Sequence, residues 1–148
     1  MKLRQIISGG QTGADRTGLE CAKEIGLETG GTAPLGYRTE IGCDPSLKDF
    51  GLVVDNNWSY VPRTIQNVRD GDITLWFGNI GSPGYRCTKR ACKDYGKDMI
   101  ENPTDLIVIA ETFEVINVAG NRKSTNPGVC DLVRNAFRSL KKGDDVKE

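Results

Sequence analysis

The chain has 148 residues, with 20 basic and 20 acidic side chains, and it contains no histidine. A net charge of zero gives no long-range attraction to nucleic acid or to anionic lipid, so neither is expected as a partner. Without histidine, one chain cannot assemble Ser-His-Asp or Cys-His catalysis, and it lacks the commonest protein ligand of transition metals.

The apolar runs and the cysteines narrow the class of protein further. No apolar run approaches the ~20 residues of a membrane helix, and the apolar stretch near Met1 is too short for a signal peptide. We therefore expect a cytoplasmic protein with no membrane partner. The five cysteines include no C-x-x-C pair, which argues against a zinc site or a disulfide framework and favours reduced, mostly buried thiols.

In the first half of the chain, short apolar runs alternate with glycine-rich turns. Residues 3–8 predict a buried strand, and residues 14–25 predict a helix with apolar residues at spacings of three. Gly26 fits its C-cap. A short second strand is expected within residues 30–34. Residues 35–58 show no clear period, so we predict a long loop with a functional role.

The second half of the chain continues the alternation. The predicted elements are a helix at 62–69, a strand at 73–78, a helix ending near residue 96, strands at 97–101 and 114–120, and a helix at 127–140. Residues 102–113 are ambiguous, since β-branched residues favour a strand whereas Asn102 and Pro103 favour a helix start. A parallel sheet needs a crossover there, so we predict a helix.

Alternating strands and helices indicate an α/β protein with three layers and a mainly parallel sheet. We expect one domain over residues 1–140 and a polar tail at 141–148. Three glycine-rich loops, at 9–16, 77–88 and 117–128, each follow a strand and lead into a helix. The carboxyl ends of parallel strands meet at one edge of the sheet, where ligands bind, so these loops should gather there.

Each loop has the means to hold an anion. Glycines let backbone N–H groups approach it, helix N-termini add unpaired donors, and arginine can grip an oxyanion with two hydrogen bonds. Besides the loop glycines, the polar candidates are Thr12, Arg16, Ser82, Thr88, Arg122, Lys123, Ser124 and Thr125. We expect Arg122→Ala and Lys123→Ala each to weaken anion binding without unfolding the protein.

A structural explanation exists for each of these features. A glycine loop after a strand can be a tight turn, and the first loop is neither a P-loop nor the G-x-G-x-x-G of dinucleotide enzymes. Arg122 and Lys123 could be solvated charges. Arg63, Thr64 and Asn67 are spaced to share one helix face, directed either at the same sheet edge or at solvent. Within the long loop, Tyr37, Arg38 and Glu40 could close over a ligand or stay exposed.

Four motifs occur in a recognisable order: "SGGQTGADRTGLECA", "GGTAPLGYRTEIG", "RTIQNVRDGDITLWF" and "INVAGNRKSTNPGV". With them, residues 2–140 closely resemble the molybdenum cofactor carrier-like proteins. That family belongs to a Rossmann-like superfamily that includes the lysine-decarboxylase-like (LOG) phosphoribohydrolases and the DNA-processing protein A. The resemblance implies a Rossmann-like fold, a homo-oligomer and a site over the carboxyl edge of the sheet.

The resemblance also implies a ligand, namely the molybdenum cofactor (molybdopterin) or a related phosphorylated pterin or oxyanion, with a molybdoenzyme as acceptor. By the motif match, the binding residues are Gly9, Gly10, Gln11, Thr12, Gly13, Asp15, Arg16, Arg63, Thr64, Asn67, Gly120, Arg122 and Ser124. The loop chemistry adds Arg38, Gly78, Ser82, Gly84, Thr88 and Lys123 to this set of candidates.

Two departures from the family bear on function. The loop after the fourth strand reads "GSPGYRCT" where relatives commonly read Gly-Gly-Thr, and Lys123 replaces an acidic residue of the last motif. The phosphoribohydrolase signature is absent, since Lys89 and Arg90 stand after Thr88 where its catalytic carboxylate would follow. We therefore favour a binding or carrier protein. The alternative is a nucleotide-binding sensor or nucleotide-processing hydrolase with Asp15 as acid–base group, unless Asp15 only caps the helix or pairs with Arg16.

Overall fold

Six parallel strands form the middle layer of a three-layer, Rossmann-like α/β fold in a computed structural model that describes residues 1–141. The elements are β1 (Gln5–Ile7), α1 (Ala14–Glu24), β2 (Glu28–Ala33), β3 (Arg38–Thr39), β4 (Gly42–Cys43), β5 (Leu52–Val54), α2 (Tyr60–Asp70), β6 (Ile73–Phe77), α3 (Pro83–Asp94), β7 (Asp98–Glu101), α4 (Ile107–Thr112), β8 (Val115–Gly120) and α5 (Val129–Arg138). Among residues 1–141, no helix has both the length and the apolar character needed to cross a bilayer.

The strand order creates a crevice at the carboxyl edge of the sheet. The order is β5–β2–β1–β8–β6–β7, and every neighbouring pair is parallel. The loops after β1 and β8 lead to α1 and α5, which pack together on one face, whereas the loop after β6 leads to α3, which packs with α2 on the other. Loops that diverge in this way leave room between them, where α/β proteins bind ligands.

The clusters of buried apolar residues on the two faces of the sheet differ in size. On the α1 and α5 side, a large cluster joins Ile6, Ile116 and Val118 of the sheet to Val133 and Phe137 of the last helix. On the other face, a small cluster comprises Val68, Ala91 and Cys92, where α2 meets α3. The thinner packing lets the first turns of α2 and α3 stand apart above the sheet.

The structure confirms the predicted strands and helices, with shifts at their ends, but the prediction of a long loop at 35–58 is wrong. That segment contains β5, the β3–β4 hairpin and two 3-10 helices, Leu35–Tyr37 and Pro45–Phe50. Strands of two or three residues are too short to show an alternating pattern. Buried Leu47 and Phe50 anchor the segment to the sheet.

Residues 102–113 form a helix only over Ile107–Thr112. Asn102 does not cap it, because the helix begins five residues later and its N-cap residue is Leu106. Instead, the Asn102 side chain bonds the backbone of Gly78 at 2.8 and 3.0 Å and fastens the end of β7 to the end of β6. The predicted polar tail starts at Lys141, and its residues 142–148 lie outside the described part of the chain.

Gly120 at the end of β8 is required by close packing. A Cβ atom there would lie 2.2 Å from the carbonyl oxygen of Phe77 and 2.5 Å from Cβ of Ala14. We expect Gly120→Ala to lower the free energy of unfolding by about 2–3 kcal/mol, because backbone atoms cannot yield as a flexible side chain can. Denaturant unfolding measures the loss. Gly84→Ala is the control, since its Cβ would meet only Trp76 at 3.5 Å, and an equal loss in both variants would contradict this account.

Candidate functional site

A cleft of about 700 Å³ lies at the carboxyl ends of β1, β8 and β6, between the first turns of α2 and α3. The structure brings together residues from all three glycine-rich loops and from α2. The predicted site residues that line it are Gly9, Gln11, Asp15, Arg63, Thr64, Asn67, Ser82, Gly84, Thr88, Gly120, Arg122 and Thr125. The others, which lie around it, are Gly10, Thr12, Gly13, Arg16, Arg38, Gly78, Lys123 and Ser124.

Three of the surrounding residues are glycines that the loops need for their own packing. Gly10, Gly13 and Gly78 have φ of 79°, 89° and 122°, a left-handed conformation that favours glycine. At Gly13 a Cβ would lie 2.4 Å from the carbonyl oxygen of Asn121, and at Gly78 it would lie 2.2 Å from the Asn121 amide oxygen. Gly13 and Gly78 thus let the three loops touch one another, whereas Gly10 lies against the side chain of Leu47.

Arg16 points away from the cleft and joins α1 to the 3-10 helix at Pro45–Phe50. Its Nη1 lies 2.8 Å from Oδ2 of Asp44, and its Nε lies 3.2 Å from Oε2 of Glu20. Both carboxylates neutralise the guanidinium. The expectation that Arg16 grips a ligand oxyanion therefore finds no support in its position.

Asp15 pairs with Arg63 rather than with Arg16. Arg63 Nη1 and Asp15 Oδ2 are 3.1 Å apart, and the two side chains are 13% and 5% exposed. The guanidinium lies over Gly9, where a Cβ would come within 1.9 Å of Nη1, so a side chain at this position would displace the Arg63 guanidinium. Burial raises the pKa of Asp15, while the charge of Arg63 and a backbone hydrogen bond from Gln11 act against that rise.

Three hydrogen-bond donors in the cleft wall have no acceptor among residues 1–141: Gln11 Nε2, Arg63 Nε and Trp76 Nε1. The Gln11 amide is oriented by two backbone N–H groups, since its oxygen accepts from Thr12 at 3.0 Å and Glu40 at 2.9 Å. Its Nε2 is buried and has no acceptor among the described residues. An unpaired buried donor costs about 1–3 kcal/mol, so this wall favours a ligand that carries acceptors.

Three arginine side chains surround the ring of Tyr60 at the rim of the cleft and make this rim positively charged. The guanidinium carbons of Arg38, Arg122 and Arg63 lie 4.3, 5.3 and 5.5 Å from the centre of the Tyr60 ring. Within residues 1–141, neither Arg38 nor Arg122 has a carboxylate within 4.0 Å. Free guanidinium groups are strong binders of phosphate and other oxyanions.

Sequence reasoning missed Trp76, Tyr60 and Asn121. Trp76 looks like an ordinary core residue of β6, and nothing local shows that it lines a cleft or that its indole N–H has no acceptor among residues 1–141. The Asn121 amide oxygen accepts from the backbone N–H of Asn79 at 2.7 Å and from the Asn126 amide at 3.2 Å. Asn121 thereby joins the second loop to the third. Its place directly after a buried strand was the available signal.

Asn67 was expected to turn a polar group toward the sheet edge, and its amide instead holds the α2 helix on β2. The amide nitrogen donates to the Thr32 carbonyl at 2.9 Å, and the amide oxygen accepts from the Thr32 N–H at 2.8 Å. Both ends of the side chain are used. Asn67 therefore positions α2, and with it Arg63, over the cleft.

Glu40, at the turn of the β3–β4 hairpin, reaches the first and third loops. Its carboxylate accepts hydrogen bonds from the hydroxyls of Thr12 and Ser124, and from the Ser124 backbone N–H at 3.2 Å. The backbone N–H of Lys123 donates to Thr12 Oγ1 at 3.2 Å. Thus three of the predicted anion-binding residues outside the cleft surround a carboxylate of the chain itself.

These contacts make the docking of the hairpin dependent on pH. Burial acts to raise the pKa of Glu40, but the hydrogen bonds from Ser124 and Thr12 outweigh it and hold the pKa below its ordinary value of 4.5. A lowered carboxyl pKa stabilises the folded state above pH 4.5, and that contribution is lost as the pH falls through the folded pKa. In an NMR titration, Glu40 and the Ser124 amide should share a midpoint below 4.5. A midpoint at or above 4.5 would contradict the assignment.

The described residues supply the cleft with neither a cluster of metal ligands nor a thiol of lowered pKa. Within the described residues no group of three or more Cys, Asp or Glu side chains could hold a metal ion. Cys87 lines the cleft, but burial raises the pKa of its thiol, so the nucleophilic thiolate is scarce at neutral pH. The donors and guanidinium groups suit an organic anion or an oxyanion.

The family model of the circularly permutated YpsA SLOG family matches residues 6–140 of the sequence. The fold is similar to the crystal structure of a protein from Syntrophus aciditrophicus SB described as a putative molybdenum carrier protein. The two share 28% sequence identity, the match covers 94% of this chain and 95% of the other, and the TM-score is 0.82. No curated protein matches the chain.

Proposed function

The chain belongs to the circularly permutated YpsA SLOG family, and we propose that it binds the molybdenum cofactor or a related phosphorylated pterin in the cleft. In this proposal the protein carries the ligand to a molybdoenzyme without converting it. The observation that supports it most is the set of three buried donors, on Gln11, Arg63 and Trp76, that have no acceptor within residues 1–141.

The residues of the cleft fit the chemistry of such a ligand. A pterin presents a carbonyl oxygen and ring nitrogens as acceptors, which match the donors of Gln11 and Trp76. Its phosphate suits Arg122 at the rim. A volume of about 700 Å³ lies in the range of about 300–1,000 Å³ typical of small-molecule sites. Since the described residues offer no metal cluster, molybdenum would be held by the dithiolene of the ligand or arrive as an oxyanion.

The arrangement favours binding over turnover. Catalysis by Asp15 would require a free carboxylate, but its Oδ2 is engaged by Arg63 at 3.1 Å and by the backbone N–H of Gln11 at 3.3 Å. The whole chain lacks histidine, and the Cys87 thiol has a raised pKa. No nucleophile–base pair is therefore evident among the groups that line the cleft.

The test is to purify the protein from cells that make the cofactor and to measure bound molybdenum and pterin fluorescence. We expect both to accompany the wild-type protein. Trp76→Phe should weaken binding about 10-fold, because it removes one buried donor and keeps an aromatic ring. Trp58→Phe is the matched control, since the only other tryptophan of the chain does not line the cleft.

Two results would overturn the proposal. One is that neither molybdenum nor pterin accompanies the protein and that added cofactor does not bind. The other is the release of base or phosphate from a panel of nucleotides, lost in Asp15→Asn, which would make the protein a nucleotide-processing enzyme.

A further inference from the structure

The carboxylate of Glu40 lies in a pocket of donors built by two different loops. The Thr12 hydroxyl comes from the loop after β1, and the Ser124 hydroxyl and backbone N–H come from the loop after β8. Their positions are maintained by the Lys123 N–H, which donates to Thr12 Oγ1 at 3.2 Å. We call the group Thr12, Lys123 and Ser124 the oxyanion seat.

Glu40 is attached to a small and weakly held element. Strands β3 and β4 pair through only two residue pairs, Arg38 with Cys43 and Thr39 with Gly42. At the turn, Ile41 is 81% exposed. The other contact of the turn with the loops is the Glu40 N–H, which donates to the Gln11 amide oxygen at 2.9 Å. A rotation of this turn can therefore withdraw the carboxylate without disturbing the central sheet.

A guanidinium near the seat has no close carboxylate partner among the described residues. Arg122 attracts the Glu40 carboxylate, yet among residues 1–141 it has no carboxylate within 4.0 Å. A tetrahedral dianion would bring more charge and more acceptor oxygens to the same donors. Because Glu40 is tethered, it competes at an effective concentration on the order of millimolar.

We propose that the oxyanion seat binds the phosphate group of a ligand, or another tetrahedral dianion, and that Glu40 is a tethered competitor which this group displaces. The proposal deepens the proposed function and rests on it in one respect: the phosphate must belong to a ligand whose remainder lies in the cleft. Gln11 connects the two, since its amide oxygen accepts from the Glu40 N–H of the hairpin and the residue lines the cleft.

The direct test is the affinity of inorganic phosphate and of molybdate, measured by calorimetry. We expect Glu40→Ala and Glu40→Gln to bind both anions at least 10-fold more tightly than the wild type, because the tethered competitor is gone. Asp49→Ala is the matched control. It removes an exposed carboxylate from the same segment, outside the seat, and should bind as the wild type does. The Ser124 amide resonance should shift when phosphate binds.

The proposal fails if both Glu40 variants bind phosphate no more tightly than the wild type, or if phosphate leaves the Ser124 amide unmoved. If Glu40→Ala alone does not fold, Glu40→Gln decides, since it keeps the size of the side chain.

Trp76→Phe separates this proposal from the proposed function, because Trp76 lines the cleft and lies outside the seat. If the cofactor binds, Trp76→Phe weakens that binding and the Glu40 variants gain no affinity for phosphate, then only the proposal about the oxyanion seat is wrong. If no cofactor binds but the Glu40 variants gain affinity for phosphate, the proposed function alone is wrong.

Discussion

Asp15→Ala is expected to lower the free energy of unfolding by about 3–5 kcal/mol, measured by equilibrium denaturation. The variant leaves the guanidinium of Arg63 without its carboxylate at a place where 87% of that side chain is buried, and the N–H of Gln11 loses its acceptor. Removal of one partner from a buried ion pair is costly because the other charge stays out of water, uncompensated.

Two further variants sharpen this expectation. Asp94 forms a comparable pair with Arg90, but both side chains are more than half exposed. Asp94→Ala should therefore change stability by about 0.2–1 kcal/mol only. The double variant Asp15→Ala/Arg63→Met should recover much of the loss, since an apolar pair can replace a buried ion pair at little cost. Equal losses from Asp15→Ala and Asp94→Ala would contradict the pairing seen here.

Arg122→Ala is expected to weaken binding of the phosphorylated ligand by about 10- to 150-fold, because one charge-assisted hydrogen bond is worth about 1.5–3 kcal/mol. Lys123→Ala should change the affinity little. The Arg122 side chain lines the cleft, whereas Lys123 is exposed and contributes its backbone N–H to Thr12. From the sequence alone, both variants were expected to weaken anion binding. The positions of the two side chains lead us to expect a large loss only for Arg122→Ala.

Calorimetric titration of both variants with the same ligand measures the difference, and denaturation checks that each remains folded. A loss of affinity in Lys123→Ala as large as that in Arg122→Ala would mean that the ligand contacts the exposed end of the loop. Unchanged affinity in Arg122→Ala would remove the positive rim from the site.

Outside residues 35–58, the order of strands and helices was predictable because each of those elements carries a local pattern. Residues 73–77 hold four apolar residues and the β-branched Thr74, and a glycine follows them, which is typical of a buried parallel strand. The rule that the carboxyl ends of parallel strands share an edge then brought the three glycine-rich loops together. That inference placed Gln11 and Arg122 at one edge, and both line the cleft, whereas the position of Arg63 on α2 had been left open between this edge and solvent.

What could not be predicted depends on contacts between residues far apart in the chain. The sequence places Asp15 beside Arg16, but its partner Arg63 is 48 positions away. Glu40 reaches Thr12 and Ser124 across 28 and 84 positions. No local pattern shows that a carboxylate of the chain lies where a ligand oxyanion was expected. Nor does any local pattern show that Gly13 makes room for the backbone of Asn121 rather than for a ligand.

The most direct test of the central claim is a crystal of the protein soaked in turn with the cofactor, a nucleotide and molybdate. The account predicts ligand density in the cleft, with acceptor atoms within hydrogen-bond distance of Gln11 Nε2 and Trp76 Nε1 and an anionic group beside Arg122. A cleft that holds only water at saturating ligand, or a ligand bound elsewhere on the surface, would contradict it.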